Sequence, residues 1–355
     1  MNKVVQIGGN LRINGISSFI MSVYRELHDE YQFIFINTAN ESGYYSNEIL
    51  RLGGKIYTVN VKGKGLVRSL RQSKAIRTII QEEKPIAVHS HYYSNNGIYL
   101  YQAYKEKVQV RISHCHQSNP KYISFSKRIA KTISRLFVEK YATHKLGCSK
   151  EACKFLYNER GVVFHNPIDY SKYMPFDVTE ELYDKYKLSS KYAYISHVGR
   201  MTTQKNPFFL IEIMKKLSIV REDIRLLVVS HGPLKELFID RIEKSHLEGW
   251  ITILEEDCNV NEINNISRCF ILPSLYEGFP ISLIEDQAAG LVCLVSENVS
   301  PEVNLGLCEF LPLNVDEWVN RIIEITQEKN NRPPLRDERF DVKTTLSKLR
   351  KIYSK

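Results

Sequence analysis

The stretch from Leu272 to Gly290 reads Leu-Pro-Ser-Leu-Tyr-Glu-Gly-Phe-Pro-Ile-Ser-Leu-Ile-Glu-Asp-Gln-Ala-Ala-Gly. Its pattern predicts a buried strand that ends at Leu272, a turn that contains Glu277, and a helix that carries Glu285. In an open α/β sheet, ligands bind beyond the carboxyl ends of the strands. Free amides at a helix start favour anions, and carboxylates accept hydrogen bonds from hydroxyl groups. The stretch therefore predicts a site for a ligand that has both phosphates and hydroxyls, as a nucleotide sugar has.

Strand-like segments alternate with helix-like segments through most of the chain. Predicted strands such as Val4–Ile7 and Ala87–Ser90 are separated by predicted helices such as Ile16–His28 and Asn96–Lys105. This alternation indicates parallel sheets with helices on both faces. A chain of 355 residues is also too long for one ordinary core. We therefore predict an α/β protein with two Rossmann-like, doubly wound domains that face one another across a cleft.

The alternation also places the domain boundaries. Residues 1–168 are predicted to form the N-terminal domain, which the final helix, 340–355, would complete. A polar stretch at 169–190 is predicted to be a linker with a lead-in helix. Residues 191–339 would then form the C-terminal domain.

Composition limits the class of protein. The hydrophobic fraction of 43% and the charged fraction of 25% are typical of a soluble globular protein. No segment resembles a cleavable signal peptide or approaches the ~18 apolar residues of a membrane span. The seven cysteines include no C-x-x-C pair. We therefore expect reduced thiols and a cytoplasmic location.

Two basic segments contribute much of the net charge of +9. Residues 62–77 contain six lysines or arginines and no acid, and residues 121–140 contain six with Glu139 as the one acid. Apolar residues recur in the second segment at helical spacing, which fits either a helix on an anionic membrane surface or a solvated helix packed on the sheet. No base-reading module or stacking motif is visible, so we expect no nucleic-acid partner.

A glycine turn from Gly8 to Gly15 follows the first predicted strand and precedes a helix. It does not match the G-x-G-x-x-G pattern, and the second predicted strand ends at Asn37 without the acid that would bind a ribose. These departures disfavour a dinucleotide-dependent dehydrogenase.

A second candidate segment, from Ser196 to Pro207, reads Ser-His-Val-Gly-Arg-Met-Thr-Thr-Gln-Lys-Asn-Pro. A strand ends at a glycine, and Arg200 and Lys205 follow within six residues. A guanidinium can bind phosphate oxygens through two parallel hydrogen bonds, and an ammonium adds a compact charge. Together they could neutralise a diphosphate as it leaves.

Four histidines form two H-x-H pairs, His89 with His91 and His114 with His116. Residues i and i+2 of a strand point to the same face, so each pair could bind a metal ion or contact a substrate. No acidic third ligand lies beside either pair in the sequence, which favours substrate contact.

The two glutamates of the first stretch, Glu277 and Glu285, would lie about 12 Å apart along a continuous helix. The paired catalytic carboxyl groups of glycoside hydrolases lie only ~5–9.5 Å apart. Binding roles are therefore favoured for both.

These motifs carry a family resemblance. The segment from Glu277 to Glu285 resembles the E-x7-E signature of the retaining glycosyltransferases of family 4, and Gly199 to Pro207 resembles the donor-phosphate motif of the same family. The chain looks most similar to bacterial enzymes of capsule, exopolysaccharide or O-antigen synthesis. The resemblance implies a GT-B arrangement, with the nucleotide-sugar donor held mainly by the second domain and the acceptor mainly by the first. It also implies a metal-independent reaction without a cofactor.

The resemblance implies roles for single positions. Glu277 would contact hydroxyls of the donor sugar, and Glu285 would bind the ribose hydroxyls. His116, or else His114, would contact the transferred sugar. The remaining positions would bind the donor: Gly15, Arg200, Lys205, Asn206, Gly278, Phe279 and Pro280. Of all these residues, Arg200, Lys205, Glu277 and His116 are the expected catalytic groups.

The expected reaction is transfer of a hexose or N-acetylhexosamine from a UDP-sugar to a lipid-linked saccharide, at the inner face of the cell membrane. A UDP-sugar 2-epimerase of the same architecture is one alternative. A catalytically inactive scaffold that binds glycans or membranes is another.

Overall fold

The protein is described by a computed structural model. It covers residues 1–9, 11–12, 14–38, 43–63, 65–92, 95–116, 125–277, 279–328 and 332–354, without side-chain detail at residues 66 and 125–130. The chain divides into two compact units, one formed by Met1–Ile168 with Glu338–Lys355 and the other by Asp169–Asp337. Each unit is an α/β structure built around its own parallel sheet.

Over its described residues, the first unit has a seven-stranded parallel sheet in the order β3-β2-β1-β4-β5-β6-β7. The strands are β1 (Asn2–Gly9), β2 (Tyr31–Asn37), β3 (Lys55–Thr58), β4 (Ala87–Ser90), β5 (Val110–Cys115), β6 (His144–Gly147) and β7 (Val162–Val163). The helices are α1 (Gly15–Leu27), α2 (Ser46–Arg51), α3 (Gly65–Glu83), α4 (Asn96–Lys105), α5 (Phe125–Tyr141), α6 (Lys150–Tyr157) and α13 (Val342–Tyr353).

The central strand β1 is buried on both faces, as expected for a parallel sheet covered by helices. Val4 packs against residues of α1 and α13. Val5 and Ile7 of the same strand point to the other face and pack against residues of α3 and α4. The final helix of the chain therefore belongs to the core of the first unit.

In its described part, the second unit has a six-stranded parallel sheet in the order β10-β9-β8-β11-β12-β13. The strands are β8 (Ala193–Val198), β9 (Ile224–Val229), β10 (Ile251–Leu254), β11 (Ser267–Leu272), β12 (Val292–Ser296) and β13 (Cys308–Leu311). The helices are α7 (Glu180–Lys185), α8 (Pro207–Val220), α9 (Lys235–Lys244), α10 (Val260–Ile266), α11 (Ile281–Ala288) and α12 (Val315–Gln327). The two sheets confirm the predicted class of two Rossmann-like domains.

The polar stretch 169–190, which we expected to be a linker with a lead-in helix, lies within the second unit. Its apolar side chains explain the difference. Leu182 and Tyr183 pack in one cluster with Tyr194 of β8 and Leu227 of β9, and so cover one face of the sheet. The charged residues of the stretch remain on its outer side, which gives the sequence its polar, linker-like composition.

Candidate functional site

The connections of the second sheet reverse direction between β8 and β11, which are neighbours in the sheet. Such a switch point leaves a crevice outside the carboxyl ends of the two strands, where ligands of open α/β sheets bind. Arg200 follows β8 and Glu277 follows β11. The topology therefore brings the two motifs of the sequence to one place.

An ion pair joins the two motifs. The ammonium of Lys205 lies 2.7 Å from Oε1 of Glu277, and the side chains are only 15% and 7% exposed. Ser274 also donates to Oε1 at 2.7 Å, and the side-chain amide of Gln204 donates to Oε2 at 3.1 Å. The loops are further tied by the amide of Leu275, which donates to the carbonyl of Gln204 at 2.8 Å. The sequence assigned Lys205 and Glu277 to separate parts of a ligand and did not predict that they pair.

Gly199 leaves the space that this pair needs. A Cβ atom at this position would lie 3.3 Å from Cε of Lys205 and 3.3 Å from Nε2 of His197. His197 is itself buried, with Nδ1 2.9 Å from the carbonyl oxygen of Ile271, and burial lowers its pKa to about 4. The lowered pKa means that His197 adds no competing positive charge beside Lys205.

The Arg200 loop is held by a turn that follows β9. The amide of Met201 donates to the carbonyl of His231 at 2.7 Å, and the amide of Leu234 donates back to Met201 at 3.1 Å. Gly232 has φ +134°, and a Cβ there would lie 2.9 Å from the carbonyl oxygen of Met201. Arg200 is exposed on this braced loop, which leaves its guanidinium accessible to a ligand.

The start of α8 follows Lys205 directly. Asn206 has the left-handed conformation, with φ 53°, and Pro207 takes the first helical position, where its missing amide hydrogen costs nothing. Asn206 therefore turns the chain from the lysine into the helix, and its side chain makes no capping hydrogen bond.

The second predicted glutamate lies in α11. Phe279 and Pro280 before the helix are buried, Gly278 lies outside the described residues, and the helix start has no side-chain cap. Tyr173 donates to Oε1 of Glu285 at 2.7 Å. Burial raises the pKa of Glu285, and the hydrogen bond from Tyr173 opposes this shift.

The residue after it, Asp286, was not singled out from the sequence. It is fully buried, and neither of its carboxylate oxygens has a hydrogen-bond partner in the part of the chain that the structure describes. Burial raises its pKa well above the ordinary value, and the negative charge of Glu285 adds to this, while the neighbouring Asn264 opposes it. Burial of this kind favours the neutral form of a carboxyl group.

We expect Asp286→Asn to stabilise the protein at pH 7 by a few degrees in melting temperature. Above pH 3.8, its ordinary pKa, Asp286 ionises in the unfolded chain but stays protonated in the fold. Native stability is therefore lost as the pH rises from 3.8 toward the raised pKa, and asparagine avoids that loss. Thermal unfolding from pH 4 to pH 7 measures it, with the exposed Asp240→Asn as control. A wild type that is the more stable protein at pH 7 would contradict the prediction.

The predicted glycine of the first unit, Gly15, begins α1 and is exposed. The side chain of Asn14 caps this helix and accepts from the amides of Ile16 at 3.0 Å and Ser17 at 3.1 Å. Two backbone amides at the start of this helix are therefore already paired. Asn10 and Ile13 of the same turn lie outside the described residues.

The two H-x-H pairs form one cluster, because β4 and β5 are neighbours in register. Nε2 of His89 lies 3.2 Å from Nδ1 of His114, and Nδ1 of His91 lies 2.9 Å from Nε2 of His116. Burial lowers the pKa of all four, that of His116 to about 3. Two further members, Gln6 and Tyr353, carried no sequence signal because they lie at opposite ends of the chain.

The cluster could also hold a metal ion. One ring nitrogen each from His89, His91 and His114 lies within 4.8 Å of the others, and neutral imidazole is the form that binds metals. The same three rings are hydrogen-bonded within the cluster.

The basic segments lie on α3 and α5. Both helices expose apolar side chains: Val67 is 54% exposed and Leu70 48%, and Leu136 of α5 is 66% exposed. Residues 121–124 and the side chains of 125–130 are outside the described part. Among the described residues, no helix is long and apolar enough to cross a bilayer.

Comparison with known proteins finds a family model that matches part of the chain and two similar proteins. A family model described as "Glycosyl transferases group 1" matches residues 178–336. The chain is 26% identical over 328 residues to the "Putative glycosyltransferase EpsF" of Bacillus subtilis (strain 168), a match that covers 90% of this chain and 85% of the relative. It is 27% identical over 176 residues to the Escherichia coli "UDP-Gal:alpha-D-GlcNAc-diphosphoundecaprenol alpha-1,3-galactosyltransferase", which covers 47% of this chain and 45% of that one.

Among solved structures, the fold is similar to that of Anabaena Alr3699/HepE in complex with UDP and glucose. The TM-score is 0.81, the match covers 100% of both chains, and the sequence identity is 13%. At this identity, the likeness concerns the fold alone.

Proposed function

Because this chain is a glycosyltransferase of the hexosyltransferase type, we propose that it moves a hexose or N-acetylhexosamine from a UDP-sugar to a lipid-linked saccharide. The product belongs to a cell-surface polysaccharide, of the capsule, exopolysaccharide or O-antigen kind. The enzyme is of family 4, and the configuration at the anomeric carbon is retained. It acts at the inner face of the cell membrane, without a metal ion.

The observation that carries this proposal is the partly buried pair of Lys205 and Glu277, beside the exposed Arg200. Lys205 and Arg200 supply two positive charges where a diphosphate would leave, and such charge stabilises the transition state. The ion pair with Lys205 also orients Glu277, so that its carboxylate can accept from sugar hydroxyls. These cations neutralise the charge of the leaving diphosphate, which a metal ion does in other transferases.

The proposed mechanism is a departure of UDP from the same face that the acceptor attacks. The bond from the anomeric carbon to the phosphate oxygen breaks, and an oxocarbenium-like state forms. The leaving phosphate takes the proton of the acceptor hydroxyl, whose oxygen then bonds to the anomeric carbon. Water must be kept away during this step, since it would compete with the acceptor.

What is known of two similar proteins supports the proposed acceptor and the proposed donor of this chain. The Escherichia coli relative carries "diphosphoundecaprenol" and "UDP-Gal" in its name. The similar Anabaena structure holds UDP and glucose. UDP-sugars and lipid diphosphate saccharides are therefore the substrates to test first.

The exposed face of α5 supports the membrane location. Ile133, Leu136 and Lys140 lie on one side of this helix and are all exposed, so apolar and basic groups face the same way. Such a helix binds anionic bilayers through its apolar face and its charges.

We expect Arg135→Glu combined with Lys140→Glu to weaken binding to vesicles of phosphatidylcholine and phosphatidylglycerol at least about tenfold. Sedimentation with vesicles measures the bound fraction. The control is the equal charge reversal Lys215→Glu with Lys244→Glu in the second unit, which should change binding little. If the α5 variant binds the vesicles as tightly as the wild type, the exposed face of α5 contacts solvent and does not bind the membrane.

The function is tested with purified protein and a panel of nucleotide sugars. UDP release is followed with and without a lipid diphosphate saccharide, and with EDTA added. We expect release that needs both one UDP-sugar and the lipid acceptor and that persists in EDTA. An epimerised sugar nucleotide formed from the donor alone would instead indicate a 2-epimerase.

A further inference from the structure

We propose that Gln6, acting through His91, positions His116 and fixes it as the neutral tautomer with its proton on Nε2. The Nδ1 atom of His116 is then an acceptor. This inference rests on the proposed function for its meaning, because His116 is the histidine proposed to contact the transferred sugar. Such a His116 can accept a hydrogen bond from a sugar hydroxyl but has no proton at Nδ1 to give to the leaving phosphate.

The argument begins at the side chain of Gln6, which is 2% exposed. Its Nε2 donates to the hydroxyl of Tyr353 at 3.2 Å, so its Oε1 is the atom that faces His91, at 2.8 Å from Nε2. An amide oxygen only accepts. Nε2 of His91 must therefore carry the proton.

The tautomer of His91 determines that of His116. A neutral imidazole has one protonated nitrogen, so Nδ1 of His91 is an acceptor. Its partner at 2.9 Å is Nε2 of His116, which must then be the donor. His116 is neutral as well, and its remaining nitrogen, Nδ1, carries a lone pair.

A second series of hydrogen bonds starts at Tyr353 and determines the tautomers of His89 and His114. Its hydroxyl accepts from Gln6, and its own proton is directed to Nδ1 of His89 at 3.0 Å. Nε2 of His89 then donates to Nδ1 of His114 at 3.2 Å. The single orientation of the Gln6 amide thus sets all four imidazoles.

The neutral state of the rings follows from their surroundings. His89, His91 and His114 are at most 2% exposed, and protonation of any of them would place a charge in an apolar core. Phe19 packs against all four rings, with ring centroids 4.7 to 6.1 Å apart. Protonated rings would also repel one another at these distances.

One feature of the cluster fits a hydroxyl donor. Among the described residues, Nδ1 of His116 and Oδ1 of Asn166 are both buried without a hydrogen-bond partner. The Asn166 side chain opposes the lowering of the His116 pKa by burial. A buried acceptor without a donor is costly, and a sugar hydroxyl would remove that cost.

Nitrogen-15 NMR of histidine-labelled protein reads the tautomers directly, without substrate. The signals of His116 are assigned by their loss in His116→Gln. We expect an unprotonated Nδ1 and a protonated Nε2. A protonated Nδ1, or a stoichiometric metal ion bound to the cluster in the purified protein, would overturn the proposal.

The variant Gln6→Met keeps the volume and removes the amide. It should give His116 mixed tautomers and lower kcat/KM about tenfold. The control Tyr157→Phe removes another buried hydroxyl of the same unit, which bonds Ser113, and should leave the His116 signals unchanged. A Gln6→Met protein with the wild-type tautomer would contradict the role of Gln6. If His116→Gln keeps full turnover while the tautomers are as expected, the proposed sugar contact fails and the tautomer assignment stands.

Discussion

Replacing Lys205 with alanine should abolish sugar transfer and should also destabilise the protein. Its ammonium is the partner of a glutamate that is only 7% exposed, so the variant leaves that carboxylate without its cation. Breaking a partly buried pair of this kind costs about 2 kcal/mol of unfolding free energy. Loss of the charge opposite the leaving diphosphate should lower kcat at least about a thousandfold.

A double-mutant cycle separates the two effects. Glu277→Ala should abolish transfer as well, but the double variant Lys205→Ala/Glu277→Ala should be less destabilised than the sum of the single variants, because no unpaired charge remains. Chemical denaturation measures stability, and UDP release measures transfer. Lys215→Ala, which removes an exposed lysine from the same unit, is the control. Additive stability effects would contradict the importance of the pair.

Glu285→Ala should raise the KM for the donor about a hundredfold, with a smaller change in kcat. A carboxylate that accepts from two ribose hydroxyls contributes two charge-assisted hydrogen bonds, and both are lost. Steady-state kinetics with varied donor measures this split. Tyr173→Phe is the matched control, since it removes a hydrogen bond to Glu285 and keeps the carboxylate. A loss of kcat with unchanged KM would place Glu285 outside nucleotide binding.

The fold was predictable because its signals are local. The predicted strand Val4–Ile7 and the predicted final helix, 340–355, have clear periodicity, and the structure has β1 and α13 at these places. The stretch 169–190 was less predictable, because only a few of its side chains face the sheet. A short helix with few buried residues has the composition of a linker.

The candidate site was predictable as a set of motifs but not as a set of contacts. The order of the strands, which brings Lys205 to Glu277, is a property of the whole sheet. No local pattern indicated that Gln6 and Tyr353 complete the histidine cluster, since their hydrogen bond joins residues 347 positions apart. Asp286 was missed because a carboxylate on a helix is usually exposed.

A calorimetric titration of UDP into the wild type and into Lys205→Ala and Glu285→Ala tests the central claim, a nucleotide-sugar site beyond β8 and β11, most directly. We expect saturable binding at one site per chain in the wild type, unchanged by EDTA and weakened at least about tenfold in each variant. No binding of UDP to the wild type, or equal affinity in all three proteins, would contradict the account.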